Sequence, residues 1–192
     1  MAAKRRQQEP WHDDARHAVR VLREGGILLH ATDTVWGLAC DATNDDAVKR
    51  LNGLKSRHPE HPMLVLVADD GHVEELVSDV PEAAWDLMAH ADRPTTIVFP
   101  DGRGVSEALL GRDGSLAIRC IRDPYCAYVI RGLGRPIAST SANVTGGPTP
   151  KGFRDVPDVL RQGVDHVSKH RQAEAQGSGQ PSMMVAFDSA GR

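Results

Sequence analysis

The apolar run Met63-Leu64-Val65-Leu66-Val67 sits between Pro62 and the acidic pair Asp69-Asp70. A half-exposed strand would alternate apolar with polar residues; an uninterrupted short run belongs to a sheet covered on both faces. Such a sheet needs flanking helices, which points to an α/β architecture. The chain upstream supplies one. Ile27-Leu28-Leu29 predicts a first strand over 26–30, and the hydroxyl-rich Ala31-Thr32-Asp33-Thr34 follows it as a turn. Asn44, with Asp45 and Asp46, suits a helix start, and Ala47, Val48, Leu51 and Leu54 recur at helical spacing up to Lys55. Pro59 and Pro62 forbid its continuation. Residues 26–67 thus predict a strand-loop-helix-loop-strand unit.

Asp13 or Asp14 is suited to cap a helix that stops at Gly25-Gly26, and residues 1–11 form a basic tail ahead of a single domain over 12–192. Further on, the pattern predicts helices over 69–77, 82–90, 124–131 and 153–160, with Trp85 as core packing. Strands are expected over 95–99, 115–121, 165–168 and 183–187, and over 136–139 running into a polar turn at 140–143. The sum is an α/β domain with a twisted, mixed open sheet and flanking helices.

Net charge of −3, with 23 basic against 26 acidic residues, argues against a general pull on nucleic acid, so any basic site must be local. The three cysteines, Cys40, Cys120 and Cys126, lack CxxC spacing, which speaks against a disulfide framework or zinc knuckle and for a reducing cytoplasm. No apolar run reaches the roughly 20 residues that span a bilayer, and no membrane role is expected.

Two hydroxyl clusters, Thr32/Thr34 and Ser139/Thr140/Ser141, follow strand-like segments, where α/β proteins form small-molecule sites. Each is equally explained as a turn closing its own hydrogen bonds. Lys55 and Arg57 suit phosphate oxygens, although a solvated pair at a helix C-terminus has the same pattern. Arg119, in the apolar Leu116-Ala117-Ile118-Arg119, requires an anionic partner if buried. There is no P-loop, dinucleotide fingerprint, HExxH or GxSxG.

Taken together and in order, ATDTVWGLACDAT, LKSRHPEHPMLVLV, SLAIRC and RPIASTSANVTGGPTP resemble the YrdC-like family of threonylcarbamoyl-AMP synthases, in its short, single-domain form. The resemblance implies a YrdC-like open sheet with a basic cavity. It implies an enzyme that makes threonylcarbamoyl-AMP and pyrophosphate from L-threonine, bicarbonate or CO2, and ATP, for threonylcarbamoyladenosine modification of tRNA. Lys55 and Arg57 would act on the ATP phosphates, with His61, Ser115, Ser141, Asn143 and Thr149 as further ATP contacts. Thr32, Thr34, Arg119 and Ser139 would surround L-threonine. Magnesium would arrive with ATP rather than in a dedicated protein site.

At His61 many relatives carry Lys or Asn, and a solvated loop residue is the alternative there. Relatives commonly have Pro before the Thr-Asp pair, Tyr or Phe at Trp36, and Trp-Pro-Gly-Pro near Pro94. Partners implied are the small substrates, weakly bound tRNA and downstream tRNA-modification proteins. Two other readings stand beside this one: an RNA-binding module without turnover, and a carbamoyl-adenylate-forming enzyme.

Overall fold

The computed structural model describes residues 9–56, 63–174 and 180–188. Its centre is an eight-stranded mixed sheet, ordered β7-β1-β2-β6-β3-β5-β4-β8. The strands are β1 (Leu28–Ala31), β2 (Trp36–Asp41), β3 (Leu64–Val67), β4 (Thr95–Phe99), β5 (Leu116–Cys120), β6 (Ile137–Ser141), β7 (His166–Val167) and β8 (Met183–Ala186). The helices are α1 (His12–Arg23), α2 (Asp45–Leu54), α3 (Asp70–Leu76), α4 (Glu82–His90), α5 (Pro124–Leu133) and α6 (Asp158–Gly163). Pairing is parallel for β1–β7, β3–β5 and β4–β8, and antiparallel for the other neighbours.

As the apolar run predicts, β3 lies inside the sheet, with Val65, Leu66 and Val67 fully buried. Strand alternation divides the core between the two faces. Leu29, Trp36, Leu38, Cys40, Val65, Val67, Ile97, Phe99, Ile118 and Ala138 belong to one cluster with Val48 and Leu51 of α2 and Val73 of α3. Leu28, Ala39, Leu66 and Ile137 point the other way, into a cluster with Ala18 and Leu22 of α1 and Cys126 and Ile130 of α5.

The predicted strand-loop-helix-loop-strand unit holds one strand more than expected. Residues 36–41 are not part of a turn leading to α2 but form β2, antiparallel to both β1 and β6. All six of its residues are buried, so it carries no alternation to betray it. The first strand lies at 28–31 rather than 26–30. Likewise β6 runs through Ser141, because Gly37 of β2 pairs with that residue; Thr140 and Ser141 are strand, not turn.

The helix expected over 153–160 is instead a short 3-10 turn, Phe153–Asp155, followed by α6. Pro157 explains the break: it has no N–H to donate and holds Val156 extended, at φ −69° and ψ 125°. Asn44 does cap α2, accepting from the N–H groups of Asp46 and Ala47. Neither Asp13 nor Asp14 caps α1, whose N-cap position is Trp11. Asp14 serves tertiary structure, accepting from Tyr125 Oη (2.9 Å), Ser168 Oγ (2.9 Å) and the Lys169 N–H (3.1 Å), with His166 Nε2 at 3.0 Å. The expected basic tail lies outside the described residues through residue 8.

Candidate active site

The sheet face covered by α1 and α5 extends beyond them, and there its chemistry changes. Along β6 the residues sharing that face read Ile137, Ser139, Ser141; along β2, Ala39 gives way to Gly37; along β5, Ala117 and Arg119 precede Ile121. Of these, Ile137, Ala39 and Ile121 lie in the α1/α5 cluster. The others line a cavity of about 300 Å³, together with Thr32, Thr34, Leu64, Thr96, Thr149, Ser182 and Met184. Alternation along each strand therefore delivers core at one end and binding surface at the other.

Thr32 and Thr34 enter this cavity from the turn between β1 and β2. Thr32 Oγ1 donates to the Val35 carbonyl (2.7 Å) and accepts from the N–H groups of Thr34 (3.1 Å) and Val35 (3.2 Å). Its Oγ1 also lies 2.9 Å from Thr34 Oγ1. Thr32 thus closes the turn, as the alternative reading of that hydroxyl has it, and fixes Thr34 against the cavity. From outside, Arg171 Nη1 donates to the Thr32 carbonyl at 2.8 Å.

Arg119 is the one cation among the described lining residues, and its side chain is only 4% exposed. Its Nη2 lies 3.2 Å from Asp33 Oδ1, which supplies the anion that the sequence demands. Burial lowers the Arg119 pKa and Asp33 opposes that shift. Arg119 Nε is buried with no hydrogen-bond partner among the described residues.

At the other side, Lys55 follows α2 and is buried to 4% exposure. Its ammonium donates to the carbonyl of Ser141 (2.6 Å) and to that of Asn143, with Asn143 Oδ1 at 3.5 Å. Ser141 Oγ donates to Asn143 Oδ1 (2.5 Å), Asn143 Nδ2 donates to the Gly147 carbonyl (2.9 Å), and Thr145 Oγ1 returns to the Lys55 carbonyl (2.6 Å). Lys55, Ser141 and Asn143, far apart in the chain, form one knot.

Of the residues that sequence reasoning selects, Thr32, Thr34, Arg119, Ser139, Ser141 and Thr149 share the cavity wall, and Lys55 and Asn143 join it through Ser141. Ser115 is not among the lining residues; its N–H bonds to Asp113 Oδ1 at 3.1 Å, in the turn before β5. Arg57 and His61 lie outside the described residues. Sequence reasoning misses Gly37, Thr96, Ser182 and Met184. Thr96 and Ser182 are joined at 2.7 Å between Oγ atoms, a contact set by parallel pairing of β4 with β8, which no local pattern reveals. Gly37 had a signal: a Cβ there would sit 3.2 Å from the Thr140 carbonyl and 3.4 Å from Ser139 Oγ, so the lone glycine of β2 marks a close approach.

The model of the Sua5/YciO/YrdC family, described as telomere recombination, matches residues 20–189. The threonylcarbamoyl-AMP synthase of Pseudomonas aeruginosa UCBPP-PA14 is 36% identical over 154 residues, covering 80% of this chain and 83% of that protein. The P. abyssi Sua5 structure complexed with L-threonine superposes with a TM-score of 0.72 at 28% identity, covering 80% of this chain. This chain spans 45% of that Sua5, less than half its length. E. coli YciO has the same fold, with a TM-score of 0.75 at 22% identity over 91% of this chain and 84% of YciO. The breadth of these matches, from α1 to β8, makes the chain a member of the Sua5/YciO/YrdC family.

Proposed function

We propose that this protein is an L-threonylcarbamoyl-AMP synthase, which joins L-threonine, bicarbonate or CO2, and ATP, releases pyrophosphate, and supplies the activated intermediate for threonylcarbamoyladenosine in tRNA. The observation that carries the reading is the buried Arg119 in a hydroxyl-lined cavity. A guanidinium whose Nε has no partner among the described residues, in that setting, suits a small carboxylate. Relatives named for this product cover most of the chain.

In this reading Arg119 holds the threonine carboxylate, while Thr34, Ser139 and the turn-closing Thr32 surround the amino acid. The triphosphate lies toward the Lys55–Ser141–Asn143 knot, with Thr149, Arg57, His61 and Ser115 as further nucleotide contacts. Threonine's amine takes up CO2 as a carbamate, losing a proton. A carbamate oxygen then attacks the α-phosphorus of ATP and the bond to pyrophosphate breaks. No protein nucleophile is needed; the work is alignment and charge compensation, to which Lys55 and Arg57 contribute.

Magnesium enters as part of the MgATP substrate. We assign the reaction to a single domain over 12–192, with 1–11 as a tail. We place it in the cytoplasm, working with tRNA and the downstream modification proteins. Among the described residues, no helix is long and apolar enough to cross a membrane.

The test is pyrophosphate release from MgATP with threonine and bicarbonate withheld in turn. Release should require both. Release indifferent to threonine but driven by carbamoyl phosphate would transfer the protein to carbamoyl-adenylate chemistry, and RNA binding without any release would make it a binding module.

A further inference from the structure

The turn that carries Thr32 and Thr34 toward the cavity sends the side chain between them elsewhere. The Asp33 side chain is only 11% exposed, and both its oxygens are directed at one region of the structure. Oδ1 lies 3.2 Å from Arg119 Nη2, and Oδ2 accepts the Arg122 N–H at 3.2 Å. Arg122 is itself anchored, its Nη1 donating to the Ala91 carbonyl at 2.8 Å and its Nη2 to the Met88 carbonyl at 3.3 Å. Asp33 is thus pinned by backbone on one side and faces the guanidinium on the other.

Arg119 emerges from a β-strand with a long side chain, and its Nε has no hydrogen-bond partner among the described residues. Among the described residues, Asp33 is the counter-charge that its fork faces, 3.2 Å away. A buried guanidinium that must present a bidentate edge needs that orientation fixed before the ligand arrives.

We propose that Asp33 is a positioning residue: it orients Arg119 and so sets how strongly the cavity discriminates a carboxylate from its uncharged amide. The proposal deepens the functional reading above and rests on its assignment of Arg119 to the threonine carboxylate. It also gives the turn a physical unity. One short segment fixes Thr34 at the cavity through Thr32, and Arg119 through Asp33, so the two halves of the amino-acid site keep a common frame.

A structural role alone would weaken every ligand of the cavity together. A positioning role predicts a selective loss. The test measures binding of L-threonine and of L-threoninamide, in the presence of MgATP, to the full chain and to Asp33→Asn and Asp33→Glu variants. The wild type should favour threonine. Asp33→Asn should weaken threonine by about tenfold or more, the size expected for a misdirected charge-assisted contact, and threoninamide by less than about twofold. Asp33→Glu keeps the charge one methylene further out and should restore part of the preference.

Coupling gives a second readout. In an Arg119→Lys background, which lacks the fork, Asp33→Asn should change threonine affinity far less than it does alone. Should Asp33→Asn fail to fold, Asp33→Glu carries the test and must lower the threonine-to-threoninamide preference. Equal losses for both ligands, an unchanged preference, or full additivity with Arg119→Lys would each overturn the proposal. A wild type that binds threonine no better than its amide would defeat the assignment of Arg119 itself, a failure visible before any variant of Asp33 is made.

Discussion

His30 shows how far a single residue can depart from its sequence appearance. It lies in β1, fully buried, with Nδ1 3.2 Å from Cys126 Sγ and Nε2 without a partner among the described residues. Burial lowers its pKa to about 4; Asp123 opposes this, and Arg119 and His170 reinforce it. The unfolded chain takes up a proton near the ordinary value, 6.5, whereas the folded protein resists doing so until about 4. Stability from neutral His30 is therefore complete above pH 6.5 and is lost as pH falls toward 4. The full difference corresponds to about 3 kcal/mol. Urea unfolding at pH 7.5 and 4.5 should show this fall, and His30→Gln should flatten it by about 2–3 kcal/mol. An identical pH slope in the variant would rule out His30 as its source. In the sequence, His30 is a polar residue at the end of an apolar run; only the packing of α5 onto β1 makes it core.

At the scale of elements, Asp14 joins α1 to α5, to β7 and to the segment after it through Tyr125, His166, Ser168 and Lys169. Burial raises its carboxyl pKa, but the hydrogen bonds from His166, Ser168 and Tyr125 outweigh this and bring it to about 2. Its contribution is present above pH 3.8 and is lost as pH falls through about 2. Asp14→Ala should orphan several donors at once and cost about 2–4 kcal/mol at neutral pH. Thermal unfolding measures this directly, and a loss like that of an exposed substitution, below about 0.5 kcal/mol, would contradict the role. The carboxylate was legible as a helix-start residue; its partners were not, because they arrive from α5 and β7. The elements themselves divide the same way. The caps, prolines and apolar runs of α2, β3 and α5 are local signals and can be read directly. β2 is missed because a strand buried on both faces loses its alternation, and its Gly37 and small Ala39 look like turn.

For the whole molecule, the cavity and the knot behind it imply that ligand binding is linked to stability. MgATP and L-threonine should each raise the melting temperature, by the equivalent of about 2.7 kcal/mol when the ligand is present at about a hundred times its Kd. Lys55→Ala should remove the nucleotide-dependent part of that rise. It should also lower the stability of the unliganded protein by about 1–3 kcal/mol, since the carbonyls of Ser141 and Asn143 lose their charged donor. Differential scanning fluorimetry with each ligand separates the two effects. An ATP-dependent rise that survives in Lys55→Ala would remove Lys55 from the nucleotide site.

The sequence by itself determined the α/β class, most element positions, and the Thr32/Thr34, Lys55, Arg119 and Ser139–Asn143 residues from which the candidate site is built. The class and the elements follow from local chemistry, namely capping, proline geometry and hydrophobic period, and Arg119 stood out as a charge too costly to bury alone; the family resemblance gathered the remaining residues into one site. Tertiary structure decided the rest. It put β2 between β1 and β6, gave Arg119 its counter-ion in Asp33, brought Lys55 to Ser141 and Asn143 at the end of β6 and added Ser182, which leads into the far edge strand, to the cavity. The physical reason is common to all four: each depends on which strands pair and in what register. That choice is settled by the free energy of closing the whole sheet over two cores, and no single segment carries it.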